Sequence, residues 1–253
     1  MLLIANWKMN FSPVEAVRNF KKFSKLAPQK TSLVIAVPQI ALANIAEAKA
    51  SSQTPLQVAA QNFNFHPNGA YTGEVGIEQI NGLADYALIG HSERRIYAYE
   101  TDKDCARKVA AALSVKIHPI LCVGETAHDR DRGQAELVVR AQVAAGLAGV
   151  ASNRLAEVVV AYEPVWAISG FGSAKIAKPA DAAKMLAVVR DEIKVLFGGE
   201  KSKQVQILYG GSVNPDNAAT YVLKSKADGL LVGNASLNVY SFRDILDKME
   251  LLR

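Results

Sequence analysis

Polar residues that could act together on a small molecule are gathered at four places in the chain. They are Asn6-Trp7-Lys8, His91-Ser92-Glu93-Arg94-Arg95, Glu163-Pro164-Val165-Trp166 and Tyr209-Gly210-Gly211-Ser212. A carboxylate near an imidazole and an ammonium can move a proton beside a carbonyl, because the three supply a base, an electrophile and a counter-charge. Enolisation is the reaction class that equipment suits. Taken singly, each residue has an ordinary explanation: Lys8 as a solvated charge, His91 as a hydrogen-bonded structural histidine, Glu163 as a strand-end carboxylate. Only elements that bring them to one place make them a site.

Those elements can be read from the hydrophobic pattern. Eight short apolar runs alternate with longer segments of helical periodicity: Leu2 to Lys8, Leu33 to Pro38, Leu56 to Gln61, Tyr86 to His91, Ile117 to Gly124, Val158 to Glu163, Val205 to Gly210 and Leu230 to Gly233. Apolar runs of this length suit strands buried on both faces, and strands alternating with helices imply a parallel sheet. The helical stretches are Pro13 to Leu26, Ala41 to Ala50, Asp102 to Leu113, Gln134 to Leu147, Ala180 to Leu196, Asp216 to Lys224 and Ser241 to Leu251. Ser12-Pro13, Lys178-Pro179 and Asn214-Pro215-Asp216 place proline near a first helical turn, where its missing N–H costs least.

No Pro/Ser-rich linker or low-complexity tract divides the 253 residues. The expectation is therefore α/β, one closed (β/α)8 barrel over residues 1–253, with an open doubly wound sheet as the competing arrangement. No Gly-x-Gly-x-x-Gly follows the first strand, which argues against dinucleotide binding. In a parallel barrel, functional groups sit at the C-terminal strand ends. All four polar clusters lie there.

Gly210-Gly211-Ser212 and Gly229 to Ala235 follow or contain the last two strands. Barrels often hold phosphate there on exposed backbone N–H groups, although glycines can also serve tight turns alone. Neither Ser92 nor Ser212 belongs to a plausible catalytic triad, and no Cys/His cluster has zinc-like spacing, so no metal is expected.

Composition narrows the setting. The 27.2 kDa chain is 50% hydrophobic and 21% charged, with net charge +5 and a pI near 9.1. Its basic residues, such as Arg18, Lys21, Lys22 and Lys25, are scattered over helix faces, so no nucleic-acid partner is expected. Cys105 and Cys122 are too few for a disulfide framework. The N-terminal apolar run is too short for a signal-peptide core or a membrane span. A cytoplasmic protein without a membrane partner is expected.

Five ordered motifs make the chain similar to the triosephosphate isomerase family along essentially its whole length. They are Ala5 to Lys8, Ala70 to Val75, Gly90 to Arg95, Ala161 to Trp166 and Tyr209 to Val213. The resemblance implies a cofactor-free TIM barrel that interconverts dihydroxyacetone phosphate and glyceraldehyde 3-phosphate in glycolysis and gluconeogenesis. It implies Glu163 as the base and His91 as a neutral electrophile, roles long associated with this family. Lys8 and Asn6 would bind substrate and stabilise the enediolate, with Glu93 fixing Lys8 and Ser92 contacting Glu163. Tyr209, Gly210 and Gly211 would support the site, while Ser212, Gly233 and Asn234 would hold phosphate. Thr72 would reach a second subunit of a homodimer, close to its Asn6, Lys8 and His91.

Two departures from the family pattern stand out. The usual Ala-Ile-Gly-Thr-Gly-Lys-Thr lid is replaced by the longer Ala167 to Lys175, in which Gly170, with Ser169 as the alternative, is expected to offer an N–H to phosphate. Asn234 occupies a place where the family commonly has glycine. Another phosphosugar-binding barrel and a non-catalytic metabolite-binding barrel are the competing functions.

Overall fold

The computed structural model describes residues 1–52, 54–168 and 176–252. Eight parallel strands form a closed barrel in sequence order: β1 (Leu2–Asn6), β2 (Ser32–Val37), β3 (Gln57–Ala60), β4 (Tyr86–Ile89), β5 (His118–Val123), β6 (Val159–Tyr162), β7 (Gln206–Tyr209) and β8 (Gly229–Val232). Closure is made by β8 against β1, with Leu2 opposite Gly229 and Ala5 opposite Val232. The expected closed barrel is present and the open sheet is not.

Alternation along each strand divides one apolar run between two cores. In β1, Leu2 and Ile4 point inward to meet Val34, Leu88, Ile120 and Leu208, while Leu3 and Ala5 join the layer between strands and helices. Both faces are thus dry, which is why the strands read as unbroken hydrophobic stretches.

Local signals set the main helices. Ser12 and Glu15 form a capping box on α1 (Pro13–Phe23), with proline in its first turn. Next come α2 (Leu42–Ser52), the single turn α3 (Ile77–Ile80), α4 (Ser92–Tyr97) and α5 (Asp102–Ser114), which Thr101 and Asp104 cap in the same way. The second half contains α6 (Ala127–Asp131), α7 (Ala135–Leu147), α8 (Pro179–Phe197), α9 (Gly199–Ser202), α10 (Ala218–Ser225) and α11 (Val239–Glu250).

The differences from the sequence pattern have local causes. Helix α10 begins at Ala218 rather than Asp216 because the Asn214 side chain accepts the N–H groups of Asp216 and Asn217, holding those residues in a turn. Between β3 and β4 the chain spends its length on a projecting loop, tied at its base by a bridge from Asn64 to Gly76, and makes only α3. Helix α4 has six residues, too few for a hydrophobic period to show.

Candidate active site

Lys8 is aimed by its neighbours on either side of the chain. Trp7 is fully buried, edge-on to Phe11 and Phe23, so the chain leaves β1 with an apolar anchor turned into the helical layer. Lys8 then adopts a left-handed backbone, φ 51°, which is costly for a residue with a Cβ. Asn6 Oδ1 accepts the Lys8 N–H at 3.0 Å, and Gln61 Nε2 donates to Lys8 O at 2.9 Å. Held this way, the ammonium reaches Glu93 Oε1 at 2.5 Å.

His91 is the N-cap of α4. Its Nδ1 accepts the backbone N–H of Glu93 at 3.2 Å, which places the ring proton on Nε2. That nitrogen lies 3.0 Å from Glu163 Oε1, while Glu163 Oε2 accepts the Ser92 N–H at 3.0 Å. The Ser92 contact therefore runs through its backbone; its hydroxyl has no hydrogen-bond partner among the described residues.

The pair is almost dry, with His91 6% and Glu163 3% exposed. Burial opposes the carboxylate charge, but the facing imidazole, its hydrogen bond, the Ser92 N–H and the Lys8 ammonium outweigh it and hold Glu163 below the usual glutamate value. Burial likewise opposes an imidazolium. The Glu163 carboxylate and its hydrogen bond overcome that and raise His91 above its ordinary value. The rise depends on a charged Glu163 beside the ring, and the backbone donor at Nδ1 leaves Nε2 as the proton-bearing atom.

Glycines make the space. A Cβ on Gly124 would lie 1.7 Å from Glu163 O, and one on Gly210 would lie 3.1 Å from Glu163 Cγ. Glu163 and Gly210 continue the strand ladder, their N–H groups donating to Val123 O and Tyr162 O. Lys8, His91 and Glu163 line one cleft of about 360 Å³ with Asn6, Ser212, Gly233 and Asn234. Gly233 is close enough to Lys8 that an added Cβ would sit 3.8 Å from Nζ. Three residues distant in sequence thus share one mouth with the glycine-rich turns after β7 and β8.

Comparison with known proteins gives the chain's family. The family model described as triosephosphate isomerase matches residues 1–249. The chain is 43% identical over 249 residues to a triosephosphate isomerase of Streptococcus thermophilus, covering 97% of this chain and 96% of the relative. It is 40% identical to one from Solibacter usitatus and 39% to one from Clostridium perfringens, each alignment covering 97% of this chain and 98% of the relative. The chain belongs to the triosephosphate isomerase family.

Other positions that the family resemblance singled out are placed unequally. Ser212 lines the cleft and donates its hydroxyl to Ala167 O at 2.7 Å. Gly211 also lines it; a Cβ there would meet the buried Tyr209 hydroxyl, so Tyr209 supports the turn from behind. Thr72 is exposed on the projecting loop. Ser169 and Gly170 lie outside the described residues.

One carboxylate escaped the sequence reading. Glu125, fully buried just beyond β5, accepts from Trp166 Nε1 at 2.7 Å, Tyr162 OH at 3.1 Å and Arg130 Nη1 at 3.1 Å. The Arg130 guanidinium also covers the Trp166 ring at 4.3 Å. Together these fix the turn Val165–Ala167 that leaves Glu163. The one hint in the sequence is that Glu125 directly follows the apolar run Ile117 to Gly124. Among the described residues, no group of three His, Cys, Asp or Glu could hold a metal ion, and no helix is long and apolar enough to cross a membrane.

Proposed function

We propose that this chain interconverts dihydroxyacetone phosphate and D-glyceraldehyde 3-phosphate through an enediolate, with Glu163 as the proton carrier. The observation that carries the reading is the 3.0 Å contact of His91 Nε2 with Glu163 Oε1 in a cleft that also holds the Lys8 ammonium. Substrate entering between them takes the Nε2 proton onto its carbonyl oxygen as a hydrogen bond and leaves the carboxylate facing the neighbouring carbon. Glu163 removes the proton from that carbon and returns it to the other, so no redox equivalent and no cofactor is required.

The Glu93 N–H donated to Nδ1 favours the neutral imidazole, since an imidazolium would carry a proton on that nitrogen. When Glu163 becomes protonated it loses the charge that raised His91, and burial then acts against an imidazolium. Nε2 remains a donor that can polarise the carbonyl and pass protons between the enediolate oxygens. Lys8 stabilises the developing oxyanion, and Asn6 holds the Lys8 backbone in place.

Phosphate is held at the other end of the cleft by the backbone of Gly211, Ser212, Gly233 and Asn234, whose N–H groups take no part in the turn and loop backbone hydrogen bonds among the described residues. Gly170, or Ser169, adds a donor from the lid, whose closure excludes water from the enediolate. The working unit is a homodimer. Thr72 enters the partner's second cleft, of about 430 Å³, which Asn6, Lys8, His91 and Glu93 also line and beside which Met9 is 96% exposed. The setting is the cytoplasm, in glycolysis and gluconeogenesis.

One preparation tests both parts. Purified protein should convert glyceraldehyde 3-phosphate to dihydroxyacetone phosphate and sediment at twice its 27.2 kDa chain mass. Phosphate-ligand binding without turnover would refute the isomerase reading, and a fully active monomer would refute the dimer.

A further inference from the structure

We propose that the side chains of Asn234 and Ser241 bind the substrate's phosphate, adding two neutral donors to the backbone cradle. The inference rests on the isomerase reading and concerns how this chain holds the anion. A phosphate ester at neutral pH carries about −1.5 to −2 charges and three acceptor oxygens. Among the described residues lining the cleft, Lys8 is the one with a permanent positive charge, and Glu93 already engages it. Neutral donors must therefore satisfy much of the phosphate.

The candidates can be separated by what they already bond. Ser212 spends its hydroxyl proton on Ala167 O, and Asn214 Oδ1 accepts the N–H groups of Asp216 and Asn217, which ties that side chain to the turn before α10. Asn234 opens a 3-10 turn, Asn234–Leu237, capped by Gly233, whose site is within reach of Lys8. Asn234 is exposed and lines the cleft, and its carboxamide takes part in none of the side-chain hydrogen bonds among the described residues.

Ser241 lines the same cleft from the first turn of α11. There the Asn238 side chain accepts the N–H groups of Tyr240 and Ser241 at 2.8 and 3.4 Å. With those amides engaged, the group Ser241 offers the cleft is its hydroxyl, which bonds to no described residue. Glu163 is the sole carboxylate among the described lining residues, and it sits beside His91. The Asn234 end is therefore free of competing negative charge.

A hydrogen bond from a neutral donor to a charged acceptor corresponds to roughly a tenfold change in affinity. Titration of the purified protein with inorganic phosphate, followed by calorimetry, reads this directly without turnover. Asn234→Ala and Ser241→Ala should each raise the phosphate Kd about 5- to 10-fold, and the KM for glyceraldehyde 3-phosphate should rise in parallel. Asn234→Gly keeps the backbone N–H and removes the carboxamide, so it should match Asn234→Ala. Asn234→Asp, which sets a carboxylate against the anion, should raise the Kd about 100-fold. Circular dichroism checks that each variant is folded.

Phosphate affinities within twofold of wild type in all four variants would overturn the proposal. So would Asn234→Gly binding as wild type while Asn234→Ala binds weakly, since that pattern assigns the effect to the backbone. A wild-type protein that binds phosphate but does not isomerise would sink the isomerase reading, while the comparison of affinities would still decide this one.

Discussion

Glu163→Asp is expected to lower kcat about 10²-fold while changing KM far less. The substitution keeps the charge and withdraws the carboxylate by one methylene, and a misplacement of about 1 Å in a reacting group is enough for a loss of that size. Compensation by the backbone is closed off on two sides. The Glu163 N–H is bonded to Val123 O, and Gly124 packs so tightly that an added Cβ would lie 1.7 Å from Glu163 O. The strand cannot advance to restore the reach. Binding should suffer less, because the proposed phosphate site lies on other residues. Steady-state kinetics checks this, and an unchanged kcat would remove Glu163 from the role of base.

Lys8→Ala is expected to reduce kcat/KM by about 10³-fold or more, with both constants affected. Losing one preorganised donor to a developing oxyanion typically costs about 10²- to 10³-fold in kcat. Here the loss is compounded. The ammonium lies near both the reacting pair and the phosphate turn, and it neutralises Glu93, which also faces His91 Nδ1 at 3.7 Å. Without it an unpaired carboxylate would border a cleft meant for an anion. Its removal also takes away one of the charges that hold Glu163 below the ordinary glutamate value. Wild-type values for both constants would contradict this charge role.

Much of the fold was legible because period and burial coincide. Six of the eight apolar runs contain their strands whole, while β2 and β8 each start one residue earlier, at Ser32 and Gly229; the excess residues at C-terminal run ends, such as Lys8, His91 and Glu163, are the ones that turn out of the sheet toward the cleft. A strand end marks where hydrophobic demand stops and side chains become free for chemistry. That is why polar groups closing apolar runs pointed to this face.

What stayed hidden depended on non-local contacts. Nothing in Gly90-His91-Ser92 announces that Nδ1 takes the Glu93 N–H, since that requires the short helix α4 to start at His91. The sequence pointed to Ser92 as a contact of Glu163 but not to the atom that makes it, which is the backbone N–H that the same helix start turns inward. Gln61 reads as the polar end of β3, yet its carboxamide spans to Lys8 O and Ala36 O across the barrel mouth. Glu125 resembles a solvated charge until the fold buries it under Trp166 and Arg130. Ser241 gave no motif at all; only the packing of α11 against the turn after β8 brings it to the cleft.

The most direct measurement is a crystal structure of the protein with a phosphate-bearing mimic of the enediolate. One oxygen of the mimic should lie about 3 Å from both His91 Nε2 and Lys8 Nζ, with the Glu163 carboxylate against the adjacent carbon and the phosphate on the turns at Gly211 and Gly233. A mimic bound in this cleft that leaves Glu163 paired with His91, or that cannot touch His91 and Lys8 together, would contradict the account.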